Sequence, residues 1–566
     1  MKKRIVALAL FGLLASGCAD DSDVDDPPPS DDSPADSADE CVEPLDSALA
    51  RWETAGFSGA VSASSPALRC FAGYGRADDE GQPNTADTLY SIGSISKLVT
   101  AAGVLTLVDA RILDIDDTVG RWIPELSADK AAITLEQLLG HSSGLRQTHG
   151  ADQDPLTQAD ALAAIDAMPL LFSPGTDYAY SNSGYTVLAM VVERASGRAF
   201  RDYMIDEVMT LADGRRVGGF WHGEPAVRAA RATGYFDDGT AGETGDFDGP
   251  HWAREGNGGM AFTARGLHDW TRALTSGEIL SSEALETMTR PRVPPNDGIA
   301  EAFGWLRLEP DVLGETAFGT SGGGGDTAQE AVLLWLPESD QVLVVTSNRT
   351  TVGAESLAGV IAFFLIDGST PVVPNEGVAV DPADLQTRSG TYRMTDDSRL
   401  TVDAEESRLR LSARGPAALA ALFPLPVDAD PDAFATHESL VDEFFSGGTP
   451  AGRAELDLIE AEFGPVSSVE LAGSGYIDGE VRTFVELIVG GEPATVWIAL
   501  DEFGIPSGIS VSSRPDPRYF VSSSESEFVP QIELPGETPV AIEFDERSTE
   551  LHIVTGGERS IAERLR

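Results

Sequence analysis

SIGSISKLVTAAGVL, residues 91–105, sets a single charge in an otherwise apolar segment. From Ser94 to Val108 the one ionisable side chain is Lys97, while Ile95, Leu98, Val99, Ala102 and Leu105 repeat at the 3.6-residue period of a packed helical face. Ala101, Val104 and Val108 continue the row that begins with Ser94 and Lys97, so the lysine faces a second apolar stripe rather than water. Burying an unpaired ammonium is costly unless its pKa falls, so the segment must either pair Lys97 or use it. Ser94 lies three residues earlier on the same helical face, with Cβ atoms about 5–6 Å apart. At the first turn, free N–H groups and the helix dipole stabilise negative charge developing on such a serine. A lysine made neutral by desolvation can take the hydroxyl proton and turn the serine into a nucleophile.

The chain has 566 residues, enough for two to four domains with their own cores. Its 92 acidic against 39 basic residues give a formal charge of −53, which makes nucleic acid an improbable partner because every long-range approach is repulsive. MKKRIVALALFGLLASGC opens with Lys2, Lys3 and Arg4, then an apolar run too short to span a bilayer, then small residues before Cys18. This reads as an export signal over residues 1–17. LASGC resembles the lipobox of bacterial lipoproteins, which implies lipidation of Cys18 and a cell-envelope protein held to the outer membrane by an N-terminal lipid. Residues 18–40, rich in Asp and Pro, are expected to be an extended tether. For an exported chain the remaining pair, Cys41 and Cys70, is expected to form a disulfide.

Paired strands are predicted in FSGAVSAS and ALRCFAGYGRAD, and again in AVLLWLPESDQVLVVTSNR (331–349), with helices between them and a helix from about Ala354 to Leu365. Strands at both ends of a helical region predict an antiparallel sheet whose terminal parts pair, covered by helices. After a linker at 369–379, residues 380–566 change to period two, with hairpins predicted at RLTVDAEESRLRLSA, TFVELIVGGEPATVWIAL and AIEFDERSTELHIV. The expected fold is α+β over 41–368, with a β-rich barrel or sandwich after it. That second region carries no motif from which a function can be read.

An S-x-x-K spacing alone recurs by chance, but its context is specific. DTLYSIGSISKLVTAAGVLTLVDARILDIDDTVGRWIPEL (87–126) resembles the first motif region of the serine β-lactamase and penicillin-binding-protein family, in particular its class C β-lactamase, D-alanyl carboxypeptidase and esterase branch. ITLEQLLGHSSGL (133–145), FSPGTDYAYSNSGYTVLAMVVERASG (172–197) and GNGGMAFTARGLHDWTRAL (256–274) resemble later family segments, in family order. The resemblance spans about residues 42–368. It implies a serine hydrolase with Ser94 as the acyl-accepting nucleophile and Lys97 with Tyr180 as the proton-relay pair. Asn182, the last residue of a Y-x-N motif, would bond a substrate amide or Lys97, and His141 would be structural. Which of Lys97 and Tyr180 is the base stays open.

The third motif departs from the family pattern. Where Lys, His or Trp usually leads, FGTSGGGGDTAQEAVLLWL (318–336) aligns as Thr320-Ser321-Gly322. Losing a charge-assisted grip on a substrate carboxylate costs about 1.5–3 kcal/mol. Small uncharged esters, amides or peptides are thus preferred as substrates over β-lactams and D-Ala-D-Ala, while the Gly323 and Ser94 N–H groups would still form an oxyanion hole. The alternatives are a β-lactamase or D-alanyl-D-alanine carboxypeptidase in which another cation such as Arg254 substitutes, and a catalytically silent ligand-binding lipoprotein. GTSGG also fits G-x-S-x-G with Ser321 as nucleophile, but the strand, turn and helix which that motif demands do not follow. The histidines show neither H-x-H-x-D nor H-E-x-x-H spacing and no C-x-x-C occurs, so neither a metal nor a cofactor is expected.

Overall fold

The computed structural model describes residues 41–565 except 224–228, 237–238, 243–248, 293–298, 325–326, 406, 428, 449–452, 454–455, 457–464, 478–479, 501–505, 512–516 and 535–536. The expected export signal, Cys18 and the tether lie outside the described residues. The chain divides into two compact units between Pro371 and Val372. Among the described residues no helix is long and apolar enough to cross a membrane.

The first unit opens with helix α1 (Leu45–Ala55) and strands β1 (Gly59–Ser65) and β2 (Leu68–Tyr74). Cys41 and Cys70 form a disulfide, tying the chain before α1 to β2. A short strand β3 (Leu89–Ser91) runs into helix α2 (Ile95–Asp109), the apolar helix of the quoted segment. Every residue from Ile95 to Leu105 is buried, Lys97 included, which is why the helix is hydrophobic nearly all round rather than on one stripe. Helix α3 (Leu135–Leu139) is fixed by a capping box between Thr134 and Gln137, and helix α4 (Asn182–Ser196) by Ser181, whose hydroxyl accepts the Gly184 N–H. Strands β4 (Gly218–Phe220) and β5 (Met260–Thr263) complete a small sheet with β3, in the order β3-β5-β4, and helix α5 (Ala264–Ser276) follows directly.

The main sheet is antiparallel, built from β1, β2, β6 (Ile299–Glu301), β7 (Leu306–Leu308), β8 (Ala317–Gly324), β9 (Gln329–Leu336) and β10 (Gln341–Ser347), in the order β2-β1-β10-β9-β8-β7-β6. The two sequence ends of the unit meet as expected, with Gly59 opposite Ser347 and Ala63 opposite Leu343. Strand β10 is buried at every residue. Its continuous apolar run VLVV (342–345) follows from that, since a strand covered on both faces has no polar side to alternate. Helix α6 (Ala354–Asp367) packs on β9 and β10, and Leu267, Trp270 and Leu274 of α5 share the main core with Val342 and Val344.

The second unit is a closed eight-stranded barrel plus a four-stranded sheet. The barrel runs through β11 (Gly390–Arg393), β12 (Arg399–Glu405), β13 (Arg408–Arg414), β18 (Arg518–Ser522), β19 (Glu527–Pro530), β20 (Val540–Phe544), β21 (Glu550–Thr555) and β22 (Glu558–Arg564), and β22 pairs back on β11. Between β13 and β18 the chain builds helices α7 (Pro416–Leu422) and α8 (Ala433–Phe445) and the sheet β14 (Val466–Ile477), β15 (Glu480–Val489), β16 (Glu492–Leu500) and β17 (Pro506–Val511). The three expected hairpins are β12–β13, β15–β16 and β20–β21. Asn375 and Val378, within the stretch read as a linker, donate N–H bonds to the Gln531 and Ser522 carbonyls of this unit.

Candidate active site

Ser94 is the N-cap of α2, so it sits where the helix has not yet used its first N–H groups. Three anchors fix the approach to it. The Ser91 N–H donates to Gln329 Oε1 at 2.9 Å, the Ile92 N–H to the Met260 carbonyl at 3.1 Å, and the Met260 N–H to Ser96 Oγ at 3.1 Å. The glycine-rich segment is thereby joined to α2, and Thr100 Oγ1 donates to the Gly256 carbonyl at 2.8 Å farther along.

Lys97 is 3% exposed. Its Nζ lies 3.1 Å from Ser94 Oγ and 2.8 Å from the Asn257 carbonyl, and 4.7 Å from the centroid of the Tyr180 ring. Burial pulls its pKa down to about 7, against a smaller upward pull from Asp152. A neutral amine suits both contacts: one N–H donates to the Asn257 carbonyl while the lone pair accepts the Ser94 hydroxyl proton. The Tyr180 phenol is pushed well above its ordinary value by burial, with a hydrogen bond to Ser94 pulling the other way. Of the two groups, Lys97 is therefore the one with a substantial unprotonated population at neutral pH.

Tyr180 is held from behind by His141. The two rings stack at 4.5 Å between centroids, and His141 Nδ1 accepts the Ser181 N–H at 3.0 Å. Burial, and secondarily the charge of Lys97, lowers the His141 pKa to about 3, so the imidazole is neutral and acts as acceptor and platform. Asn182 opens α4, and its N–H donates to the Gln147 carbonyl at 2.8 Å. Its Oδ1 is buried without a hydrogen-bond partner, an acceptor that a substrate N–H would satisfy. Among the described residues the second hydrogen-bond partner of Lys97 is the Asn257 carbonyl.

Thr320, Ser321, Gly322 and Gly323 lie on β8, opposite Leu333, Val332, Ala331 and Glu330 of β9. The backbone of this strand approaches Ser94 so closely that a Cβ built on Gly93 would lie 2.2 Å from the Gly323 nitrogen, and one on Gly322 2.3 Å from the Ser94 nitrogen. Only glycine permits that approach. Ser321 continues in the β8–β9 ladder rather than standing on a turn into a helix, so the nucleophile-elbow geometry is absent there. Arg254 is 5% exposed, with Nε 3.9 Å from Oδ2 of the partly exposed Asp152.

Three groups escaped the reading of the sequence. The Asn257 carbonyl and the Gln329 side chain act through tertiary contacts that leave no local pattern. Glu301, at the end of β6, has its carboxylate 3.5 Å from the Tyr178 hydroxyl, in an edge strand of three residues with no motif.

Residues 50–364, more than half of the chain, match the family model described as Beta-lactamase. Penicillin-binding protein 4* of Bacillus subtilis is 25% identical over 376 residues, covering 61% of this chain and 80% of its own. Esterase EstB of Burkholderia gladioli is 33% identical over 172 residues, which cover 27% of this chain and under half, 43%, of its own length. The octameric penicillin-binding protein homologue from Pyrococcus abyssi aligns with 91% of this chain and 98% of its own at 18% identity and a TM-score of 0.52, a likeness of fold alone.

Proposed function

Because the chain belongs to the beta-lactamase family, we propose that it is a serine hydrolase that cleaves ester and amide substrates through an acyl-enzyme on Ser94. The observation that carries the reading is Lys97, whose Nζ lies 3.1 Å from Ser94 Oγ in surroundings that bring its pKa to about 7. In this mechanism the neutral amine takes the Ser94 proton as Oγ attacks the carbonyl carbon, and the oxyanion is received by the Ser94 and Gly323 N–H groups. The Tyr180 hydroxyl gives its proton to the leaving group and regains one from the Lys97 ammonium. A water then attacks the acyl carbon, its proton passes to the Lys97–Tyr180 pair, and the pair returns that proton to Ser94 Oγ as the acyl bond breaks. Asn182 Oδ1 accepts a substrate N–H. Thr320 in place of a cation disfavours anionic substrates such as β-lactams.

The test is the kcat/KM for an uncharged p-nitrophenyl ester beside that for a chromogenic cephalosporin. The ester is expected to be turned over and the cephalosporin to be slower by at least tenfold. A cephalosporin turned over as fast as the ester would contradict the assigned preference.

The chain is further proposed to be an exported lipoprotein over a signal at 1–17, a tether at 18–40, a hydrolase domain at 41–368, a linker at 369–379 and a β-rich domain at 380–566. The basic and apolar N-terminal run ending at Cys18 supports export, as does the Cys41–Cys70 disulfide, a bond typical of oxidising compartments. Metabolic labelling with a fatty acid analogue is expected to mark the wild type and not Cys18→Ser; label retained by Cys18→Ser would exclude the anchor.

A further inference from the structure

Glu301 is an acid without a cation. It ends β6, the edge strand, and across the sheet Leu306 of β7 stands between it and Gly319, the residue before Thr320. Its carboxylate meets the Tyr178 hydroxyl at 3.5 Å, and burial first, with the charge of Glu301 adding to it, raises the phenols of Tyr178, Tyr180 and Tyr185. Tyr178, with 39% of its surface exposed, has its ring 6.0 Å from that of His141, which in turn stacks on Tyr180 beside Ser94. The carboxylate and an open aromatic face therefore lie together, two rings from the reacting hydroxyl.

Among the described residues no positive side chain is recorded against Glu301. Arg292 donates its backbone N–H to the Glu301 carbonyl, but its guanidinium pairs with Glu136 at 3.2 Å; Arg307 pairs with Glu309 at 3.0 Å. Burial without a countercharge holds the Glu301 carboxyl up at about 8, the condition of an acid that gains by receiving a cation. The third motif carries Thr320 where the family pattern has a cation, so that position adds no positive charge to oppose Glu301.

We infer that the cleft selects substrates bearing a cationic amino group, up to a quaternary ammonium, which the Glu301 carboxylate and the exposed Tyr178 ring receive together. The inference rests on the acyl-enzyme reading and adds the substrate class. A carboxylate supplies the charge and an aromatic face the cation–π attraction, a combination suited to weakly hydrated ammonium groups.

Two fluorophosphonates of equal tail length, one ending in trimethylammonium and the other in the isosteric tert-butyl group, test it on the full chain. The measured quantity is the ratio of their second-order rates of Ser94 labelling, taken above about pH 8, where Glu301 ionises. The wild type is expected to favour the ammonium probe by about tenfold. Glu301→Gln should bring the ratio to within about threefold of unity, Tyr178→Leu should lower it, and Glu286→Gln, at an exposed acid on the helix Ser282–Thr289, should leave it unchanged despite removing the same charge. A wild-type ratio near one, or a ratio that Glu301→Gln and Tyr178→Leu leave intact, overturns the inference while the acyl-enzyme stands. If neither probe labels the wild type, the acyl-enzyme reading fails and the inference falls with it.

Discussion

At the scale of single residues the proposed mechanism turns on a lysine whose pKa burial lowers to about 7. Since the neutral amine is the reactive form, kcat/KM should rise with pH through about 7 and then level. Lys97→Met should lower kcat/KM by roughly 10² to 10⁴ and abolish that inflection. A variant retaining a tenth of wild-type activity would exclude the role. In that mechanism His141 acts through Tyr180, on which it stacks, as a positioning residue. Its φ of 55° lies in the left-handed region, which asparagine tolerates and leucine does not. His141→Asn, able to accept the Ser181 N–H, should therefore keep more activity than His141→Leu, with kcat falling more than KM rises in both. Equal kcat for the two variants would remove the positioning argument.

At the scale of elements, the closeness of α2 and β8 is the feature on which the proposed backbone oxyanion site rests. Gly322→Ala inserts a Cβ 2.3 Å from the Ser94 nitrogen, so the strand must move from the helix. The expected loss is about 10² to 10³ in kcat/KM, the effect of losing an oxyanion donor, with the thermal transition retained. Helix α8 offers a separate test in the second unit. There His437 Nε2 accepts the Leu500 N–H at 2.9 Å and Nδ1 meets Thr483 Oγ1 at 2.7 Å. Only the neutral ring can accept, and burial lowers its pKa to about 4. The unfolded chain, with an ordinary value near 6.5, binds a proton first, so this contribution is complete above about pH 6.5 and is lost as pH falls towards 4. The difference corresponds to about 3 kcal/mol. Urea unfolding should show the second unit weakening over that window in the wild type and less steeply in His437→Gln; parallel curves would contradict it.

The same elements mark what was legible in the sequence. Ser94, Lys97 and Tyr180 could be found because each stands at or just before a helix start, inside a short contiguous pattern. Hairpins such as β12–β13 and β20–β21 were readable because period two and a local turn define them. The barrel was not readable as closed, because β13 pairs with β18 across about a hundred intervening residues whose own strands show the same alternation. Glu301 and the Asn257 carbonyl stayed hidden for a related reason: their meaning comes from which distant ring or amine they meet.

At the scale of the whole molecule, the formal charge of −53 and the disulfide both fit the proposal of an exported, solvated chain. Cys41 and Cys70 close a loop of 29 residues, for which chain entropy gives about 3–4 kcal/mol. Cys41→Ser should lower the melting temperature of the first unit, and a reductant should do the same to the wild type and not to the variant. A variant that melts with the wild type would show that the bond contributes nothing to stability.

The central claim is that Ser94 is an activated nucleophile, and intact-mass measurement of the full chain after exposure to a small fluorophosphonate tests it most directly. The account predicts one adduct on the wild type and none on Ser94→Ala. An unlabelled wild type, or an adduct that survives in Ser94→Ala, would contradict it.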